Sequence, residues 1–578
     1  MVSKKKFLGI VLGTSCLAVI LITVVVVVLV FEEGPDTVKV RTVTGGTLIG
    51  KVTTLKDGKT KMNEFHNIRY AQAPVGTLRF RPPVRYEVAG ADTEISATNS
   101  TPIMCLQSDT GLGTEDCLML SVRSSNLDES ALKPVLMWIH GGGLIAGYGA
   151  APGYSFDSEV THELDAVTVN INYRLGFLGF SSVKELWNYD AGGAFVDANA
   201  NNGIRDIIAA LDWIQDNIAK FGGDPDRVTI IGESGGGTAV LALICSPLAN
   251  NKFHAAISQS PAPEMRFSYT EGDTFQRESE NSVGFGCNQD TLAERKQCLY
   301  DKPAKDLIFD FKNPANVPGT AYFLFPMSYG MKGEYAGQII VDGTVVTKAP
   351  RELGAAGFQP ASPLPIIISN CAEEAWQQSW ISKPPVRSKG DLAELLTTHL
   401  KKINKDFTEE EVSNLTNLYT QNSPIINPYQ DPGKVWSYLV SDIRSTCPTN
   451  DVVKDMSGTE NTNRKFYRLY VSHKPSIEEI PAFHAYDALA LFGYSSSNLN
   501  STSAGLNEKD FAFHDHYVAM VKKFAIDQTL EEGWESFPGK SMTYENSVSI
   551  SSLSSNEPQQ YACKVLEGLD LVKYGWQN

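Results

Sequence analysis

Runs of apolar residues along the chain follow two spacings, one typical of strands and the other of helices. Short aliphatic runs predict strands at 38–43, 46–52, 134–139, 166–172, 228–231 and 365–369. Apolar residues three and four positions apart predict helices at 202–220, 391–403 and 511–526, and residues 238–244 can continue as a buried helix. Between 134 and 244 strands alternate with glycine turns and helices. This alternation predicts an α/β fold with a large, mostly parallel central sheet and helices on both faces.

The N-terminal segment has the pattern of a membrane anchor. Three lysines at 4–6 precede an uninterrupted apolar or small-residue run at 7–31, and acidic residues follow it. Such a run is longer than the roughly 30 Å hydrocarbon core requires, and no small-x-small cleavage site follows. The lysines indicate a cytosolic N-terminus. We predict a cytosolic tail at 1–6, one transmembrane signal-anchor helix at 7–31, a stalk at 32–37 and a lumenal or extracellular domain at 38–578. A secreted protein with a long signal peptide is the alternative.

Composition narrows the classes of partner. The 578 residues carry a formal net charge of −16, which argues against nucleic acid, because a phosphate backbone attracts a basic surface. An apolar content of 42% allows a large core. We expect no cofactor and no metal, since no C-x-x-C motif or pair of histidines supports a metal site.

Cysteines and sequons agree with an oxidising compartment. Of nine cysteines, Cys16 lies in the predicted anchor, and spacing alone leaves the pairing of the others open. Three disulfides are expected, with Cys245 and Cys371 as buried thiols. The Asn-x-Ser/Thr sequons predict glycosylation at Asn99, Asn414 and Asn500.

One short segment has the pattern of a nucleophile elbow. The predicted strand 228–231 runs directly into Gly232-Glu-Ser-Gly-Gly236, and a helix can follow. A sharp strand-to-helix turn needs glycines on both sides of its central residue, whose side chain is then exposed above the sheet. Ser234 is therefore a candidate nucleophile.

Acyl transfer by a serine also needs a base, an orienting acid and amide donors for the oxyanion. His140-Gly-Gly-Gly143 ends a predicted strand and offers such amides. Asn370-Cys-Ala-Glu373-Glu374 follows the strand at 365–369, which puts a carboxylate at a strand end. His484 lies late in the chain, and Pro481 before it favours a loop. The order Ser, acid, His is that of an α/β-hydrolase.

These motifs identify a family. From about Val38 onward the chain resembles the type-B carboxylesterase/cholinesterase family of α/β-hydrolases. The segments that carry the resemblance are Tyr70-Ala to Arg79-Phe80, Glu115-Asp-Cys-Leu118, Trp138-Ile-His-Gly-Gly-Gly143, Asn172-Tyr-Arg-Leu-Gly176, Phe221-Gly-Gly-Asp-Pro225, Gly232-Glu-Ser-Gly-Gly236, Ser246-Pro-Leu-Ala249 and Val341-Asp-Gly343.

The resemblance implies roles for particular residues. It implies Ser234 as nucleophile, Glu373 as orienting acid and His484 as base. Glu374 is a rival for the acid, because Ala372-Glu373-Glu374 lacks the family's Asp and Gly around the glutamate. The remaining implied features are oxyanion donors at Gly142, Gly143 and Gly235, disulfides Cys105–Cys117, Cys287–Cys298 and Cys447–Cys563, and an ion pair between Arg79 and Glu115.

The predicted function is hydrolysis of small carboxylic esters by a membrane-anchored serine carboxylesterase, through an acyl-enzyme. Gly235 stands where alanine is usual in the family. The segment between Cys105 and Cys117 is short and has no tryptophan, whereas cholinesterases carry an aromatic platform for choline there. A cholinesterase is therefore only the second choice within the enzyme class. An adhesion protein of the same fold is the alternative from another class. The physiological ester and the oligomeric state stay open.

Overall fold

The structure is a computed structural model. It describes residues 36–569 except 89, 91, 108–110, 192, 194, 266, 275–285, 309–337, 356–363, 376–387, 404–406, 421–431, 458–464, 478–479, 494–505, 531–540, 546–548 and 554–557. The predicted tail and anchor, and the stalk up to residue 35, lie outside this part, so their boundaries stay predictions. Within residues 36–569, less the gaps above, no helix is both long enough and apolar enough to cross a membrane.

The strands form one large sheet and one small hairpin. In chain order they are β1 (Thr37–Arg41), β2 (Thr47–Thr54), β3 (Lys61–Arg69), β4 (Glu94–Ser96), β5 (Met119–Ser124), β6 (Lys133–Ile139), β7 (Val167–Ile171), β8 (Asn188–Tyr189), β9 (Phe195–Asp197), β10 (Gly223–Glu233), β11 (Ala255–Gln259), β12 (Ile366–Cys371), β13 (Phe466–Val471), β14 (Ser541–Glu545) and β15 (Ser549–Leu553). The large sheet has the order β1-β2-β3-β5-β7-β6-β10-β11-β12-β13-β14-β15, with β4 beside β2, and β8 pairs with β9.

Helices follow most of the central strands. They are α1 (Ser158–Leu164), α2 (Gly176–Phe180), α3 (Asn202–Asn217), α4 (Gly235–Ile244), α5 (Leu292–Asp301), α6 (Pro350–Ala355), α7 (Lys389–Ile403), α8 (Glu409–Thr420), α9 (Pro432–Ser441), α10 (Cys447–Ser457), α11 (Tyr486–Leu491), α12 (Glu508–Asp527) and α13 (Pro558–Gly568). A π-helical turn, Asp442–Thr446, joins α9 to α10.

The centre of the large sheet is parallel and its two margins are antiparallel, except that β4 pairs parallel with β2. Every neighbouring pair from β7 through β6, β10, β11, β12 and β13 to β14 is parallel. The pairs β1–β2, β2–β3, β3–β5 and β5–β7 at one margin and β14–β15 at the other are antiparallel. The predicted parallel sheet is thus confirmed for the core of the fold. In the pairs β1–β2, β2–β3 and β14–β15 a short connection returns the chain antiparallel, whereas a parallel neighbour needs a longer crossover.

Helices cover both faces of the sheet, as predicted. Along β6, Leu136 and Trp138 belong to one hydrophobic cluster, which α7, α8, α9, α11 and α12 complete. Met137 and Ile139 belong to the other cluster, which is completed by α3, α4 and α10. Successive side chains of a strand point to opposite faces, so a strand buried on both faces is apolar throughout. This accounts for the uninterrupted apolar runs in the sequence.

The predicted elements are confirmed, with small differences at their ends. The strand predicted at 228–231 is the last part of the longer β10. The helix predicted at 202–220 is α-helical to Asn217 and continues as the 3₁₀ turn Ile218–Phe221. β1 begins at Thr37, the last residue of the predicted stalk.

The three disulfides implied by the resemblance are present as Cys105–Cys117, Cys287–Cys298 and Cys447–Cys563. Cys245 and Cys371 are buried thiols, as expected. Of the sequons, Asn99 and Asn414 are exposed, and Asn500 lies outside the described residues.

Candidate active site

Ser234 occupies the sharp turn between β10 and α4. Its backbone has φ +56° and ψ −122°, a conformation that costs a non-glycine residue free energy. The surrounding structure holds it there, because its N–H donates to the Gln259 carbonyl at 2.9 Å and its carbonyl accepts from the Thr238 N–H at 2.9 Å. The elbow predicted from the sequence is therefore present as a strained strand-to-helix turn.

The glycines beside Ser234 are required by close backbone contacts. A side chain on Gly232 would collide with the Gly236 carbonyl, and one on Gly236 would collide with the Ile139 carbonyl at the end of β6. Two strand ends and the first turn of a helix meet at this point with no room for a β-carbon. The sequence pattern follows from this packing.

The predicted oxyanion donors lie next to one another. Gly142 and Gly143 have φ of +107° and +60°, which glycine adopts without the steric cost that other residues incur. A β-carbon on Gly235 would lie 3.1 Å from the Gly143 nitrogen and 2.8 Å from the Leu144 nitrogen. The glycine in place of the usual alanine thus leaves room for close contact between the elbow and the glycine loop.

His484 lies between two carboxylates. Its Nδ1 hydrogen-bonds to Oε2 of Glu374, and its Nε2 lies 3.2 Å from Oε1 of Glu233, the residue before Ser234. The other oxygen of Glu374 accepts from the Ser260 hydroxyl at 2.7 Å and from the Cys371 N–H at 2.6 Å. The carboxylate of Glu374 is therefore held from three sides, and the imidazole reaches from it to the elbow.

His484 contacts Glu374 and not Glu373, the residue that the resemblance implied as the orienting acid. Both glutamates are fully buried, but it is Glu374 that contacts His484. The backbone of Glu373 pairs with the segment before His484, where its N–H donates to the Ala482 carbonyl at 2.8 Å. Its carboxylate lies by Tyr438 and, together with burial, raises the pKa of that phenol. The two carboxylates therefore have different neighbours, the imidazole of His484 for Glu374 and the phenol of Tyr438 for Glu373.

Burial and charge perturb the protons of this cluster. Burial lowers the pKa of His484, but Glu233 and Glu374 outweigh it and raise the pKa to about 9. Burial raises the pKa of Glu233 to about 8, against the effect of His484. Burial also raises the pKa of Asp487, which accepts from the Ser369 hydroxyl at 2.6 Å. Such closely spaced groups titrate together, and their apparent pKa values belong to the cluster.

Glu233 is a site residue that the sequence interpretation missed. Its Oε2 accepts from the Tyr154 hydroxyl. A β-carbon on Gly141 would lie 2.5 Å from the same oxygen, which explains a further glycine of the loop. The variable position of Gly-x-Ser carries no signal of its own, although a buried acid next to a candidate nucleophile is unusual enough to be noticed.

The fold and the elbow define the class of protein. A parallel sheet covered on both faces, a strained serine between strand and helix, and a glycine loop beside it are the features of an α/β-hydrolase. In agreement, the structure matches that of a PNB esterase with a TM-score of 0.67 at 23% identity, covering 90% of this chain and 98% of the other.

Sequence comparison identifies the family within that class. The model of the carboxylesterase family matches residues 36–564, so the chain belongs to this family. It is 34% identical to carboxylesterase 1C of Rattus norvegicus over 337 residues, 55% of either chain. It is 31% identical to acylcarnitine hydrolase of Mus musculus over 389 residues, 64% of this chain and 62% of the other. The chain spans a little over half the length of the curated relatives it matches.

Proposed function

We propose that the protein hydrolyses carboxylic esters of small molecules through an acyl-enzyme on Ser234, with His484 as base and Glu374 as the acid that orients it. One observation carries the proposal. The imidazole of His484 has Nδ1 against a fully buried carboxylate and Nε2 at the elbow, 3.2 Å from the residue that precedes Ser234.

The first half of the reaction forms the acyl-enzyme. The Ser234 hydroxyl oxygen attacks the ester carbonyl carbon while Nε2 of His484 takes its proton. The negative charge that develops on the carbonyl oxygen is met by the amides of Gly142, Gly143 and Gly235. The intermediate collapses, the carbon–oxygen bond to the alcohol breaks, and His484 returns its proton to the leaving alcohol.

The second half repeats these steps with water. His484 takes a proton from a water molecule that attacks the acyl carbon, and then protonates Ser234 as the acid product leaves. Glu374 stabilises the imidazolium in both halves. Its bonds from Ser260 and Cys371 keep its carboxylate aligned with Nδ1.

The neighbouring glutamates permit a matched test. Glu374→Gln should lower kcat for p-nitrophenyl acetate by roughly 10³- to 10⁴-fold, as loss of the third triad member does elsewhere. Glu373→Gln, an identical change one residue away, should keep kcat within about threefold, since its carboxylate lies away from the imidazole. The reverse order of effects would return the acid role to Glu373.

Covalent labelling tests the nucleophile and separates the enzyme from an adhesion protein. A fluorophosphonate probe should label Ser234 in the native chain and leave Ser234→Ala unlabelled, while circular dichroism of the two proteins stays the same. An unlabelled native protein would argue for a binding role of this fold.

We also propose that residues 7–31 anchor the domain as a type II membrane protein, with glycans on Asn99, Asn414 and Asn500. The support is the length of the apolar run and the lysines before it. Recovery of the protein in the soluble fraction after carbonate extraction would contradict the anchor, and the secreted alternative would take its place.

A further inference from the structure

We propose that Gln107 is a positioning residue for the oxyanion donors: its side-chain amide clamps Gly147 and so holds the glycine loop that carries Gly142 and Gly143. The inference deepens the proposed esterase function and rests on it. It assigns a catalytic consequence to the segment between Cys105 and Cys117, which is remote in sequence from the elbow.

The amide of Gln107 binds both backbone groups of Gly147. Its Nε2 donates to the Gly147 carbonyl at 2.9 Å, and its Oε1 accepts from the Gly147 N–H at 3.4 Å. Gln107 is only 6% exposed. A buried amide that meets the donor and the acceptor of one residue fixes both the position and the direction of that peptide.

Gln107 is itself held by the segment around it. Its N–H donates to the Leu112 carbonyl at 2.9 Å, and its carbonyl accepts from the Gly111 N–H at 3.0 Å. The disulfide Cys105–Cys117 closes this segment two residues before Gln107. The side chain of Gln107 therefore projects from a backbone segment that is held in place by the disulfide and by these two hydrogen bonds.

Gly147 closes the glycine loop onto its own beginning. The Gly142 carbonyl accepts from the N–H groups of Ile145 at 3.1 Å and Ala146 at 3.0 Å. A β-carbon on Gly147 would lie 2.5 Å from Nδ1 of His140, so the backbone there packs directly against the start of the loop. Movement of Gly147 would therefore be transmitted to Gly142 and Gly143.

Amide donors lower the barrier only when they are in place before the reaction. Removal of one donor costs roughly 10²- to 10³-fold in kcat. A loop that keeps its amide donors but no longer aligns them should lower kcat by less than the removal of one donor does. Both side-chain hydrogen bonds of Gln107 go to Gly147, so we expect its effect to act through Gly147.

The test replaces the amide and keeps the length of the side chain. Gln107→Met should lower kcat for p-nitrophenyl acetate about tenfold, a fraction of the loss known for a missing donor, with KM changed less than about twofold. Gln72→Leu is the control, because Gln72 is exposed and its side chain donates to the Arg85 carbonyl, away from the glycine loop. Its kinetics should match those of the native protein. Gln107→Leu serves if the methionine variant does not fold.

Hydrogen exchange gives a readout that does not depend on turnover. The amides at 140–147 should exchange faster in Gln107→Met than in the native protein or in Gln72→Leu. Unchanged exchange with unchanged kcat would overturn the proposal, as would a drop in melting temperature with kcat and exchange unaltered. A native protein without esterase activity would contradict the proposed function. The exchange experiment would still decide whether Gln107 holds the glycine loop in place.

Discussion

Glu233 lies outside the proposed triad but contacts its histidine directly. Its buried carboxylate lies between the Tyr154 hydroxyl and Nε2 of His484, the nitrogen that takes the serine proton in the proposed mechanism. Next to burial, which acts in the opposite direction, it has the largest effect on the pKa of His484. The pH range of activity should therefore depend on it.

Glu233→Gln should extend activity to lower pH. A base works only when unprotonated, so a raised pKa means that activity is lost early as the pH falls. Without the carboxylate at 233 the pKa of His484 falls, and the acidic limb of kcat/KM should move down by about one pH unit or more. Glu163→Gln, which removes the partner of His514 at 3.3 Å, is the control and should leave the profile in place. A profile that does not move would show that Glu233 has no influence on the base.

Arg79 ties several segments of the chain together at one point. Its guanidinium pairs with both oxygens of Glu115, at 2.6 and 2.8 Å, which confirms the implied ion pair. It also donates to the carbonyls of Tyr300 at 3.0 Å and Lys302 at 2.6 Å, at the end of α5. Only a planar fork with several donors can serve all these acceptors at once.

Arg79→Ala should lower the free energy of unfolding by about 3 kcal/mol, because it leaves a nearly buried Glu115 carboxylate without its cation. The side chains of Arg79 and Glu115 are only 9% and 14% exposed. Lys39→Ala is the control, since Lys39 and Glu94 are 56% and 51% exposed and their pair should contribute less than about 1 kcal/mol. Urea unfolding measures both. Equal losses would mean that burial of the pair adds nothing.

The disulfides constrain the molecule over different lengths of chain. Cys447–Cys563 joins α10 to α13 across 116 residues, whereas Cys287–Cys298 spans 11. In the chain-entropy account, a cross-link stabilises the fold by restricting the unfolded chain, and the longer loop contributes more.

Replacement of both cysteines of a disulfide by alanine should therefore lower the free energy of unfolding more when the disulfide closes the longer loop. The loss for Cys447/Cys563 should exceed that for Cys287/Cys298 by about 2 kcal/mol, from the logarithm of the two loop lengths. Denaturant midpoints of the two double variants, both measured without reductant, give the difference. A larger loss for the short loop would mean that native contacts rather than chain entropy dominate.

Much of the fold was predictable because its signals are local. The strand runs, the helical spacing of 202–220 and the elbow around Ser234 depend on neighbours in sequence, and all are present in the structure. The antiparallel margins were not predicted, since apolar spacing indicates that a strand exists but not which strand lies beside it.

The site divides in the same way. Ser234 is recognisable from the glycines that its turn needs, and a late His484 fits the chain order of the family. The choice between Glu373 and Glu374 could not be made from the sequence, because the two are identical side chains at adjacent positions of the same segment. Their directions are set by the pairing of Glu373 with the segment before His484.

By itself, then, the sequence determined the class of fold, the sharp strand-to-helix turn at Ser234 and the family, because each rests on short-range patterns of apolar residues and glycines. Only the tertiary structure decided which carboxylate holds the imidazole, that Glu233 lies on its other side, and that Gln107 reaches Gly147. These are contacts between residues 40 to 251 positions apart. Their geometry depends on how strand ends and loops meet in space, and no local pattern of side chains records it.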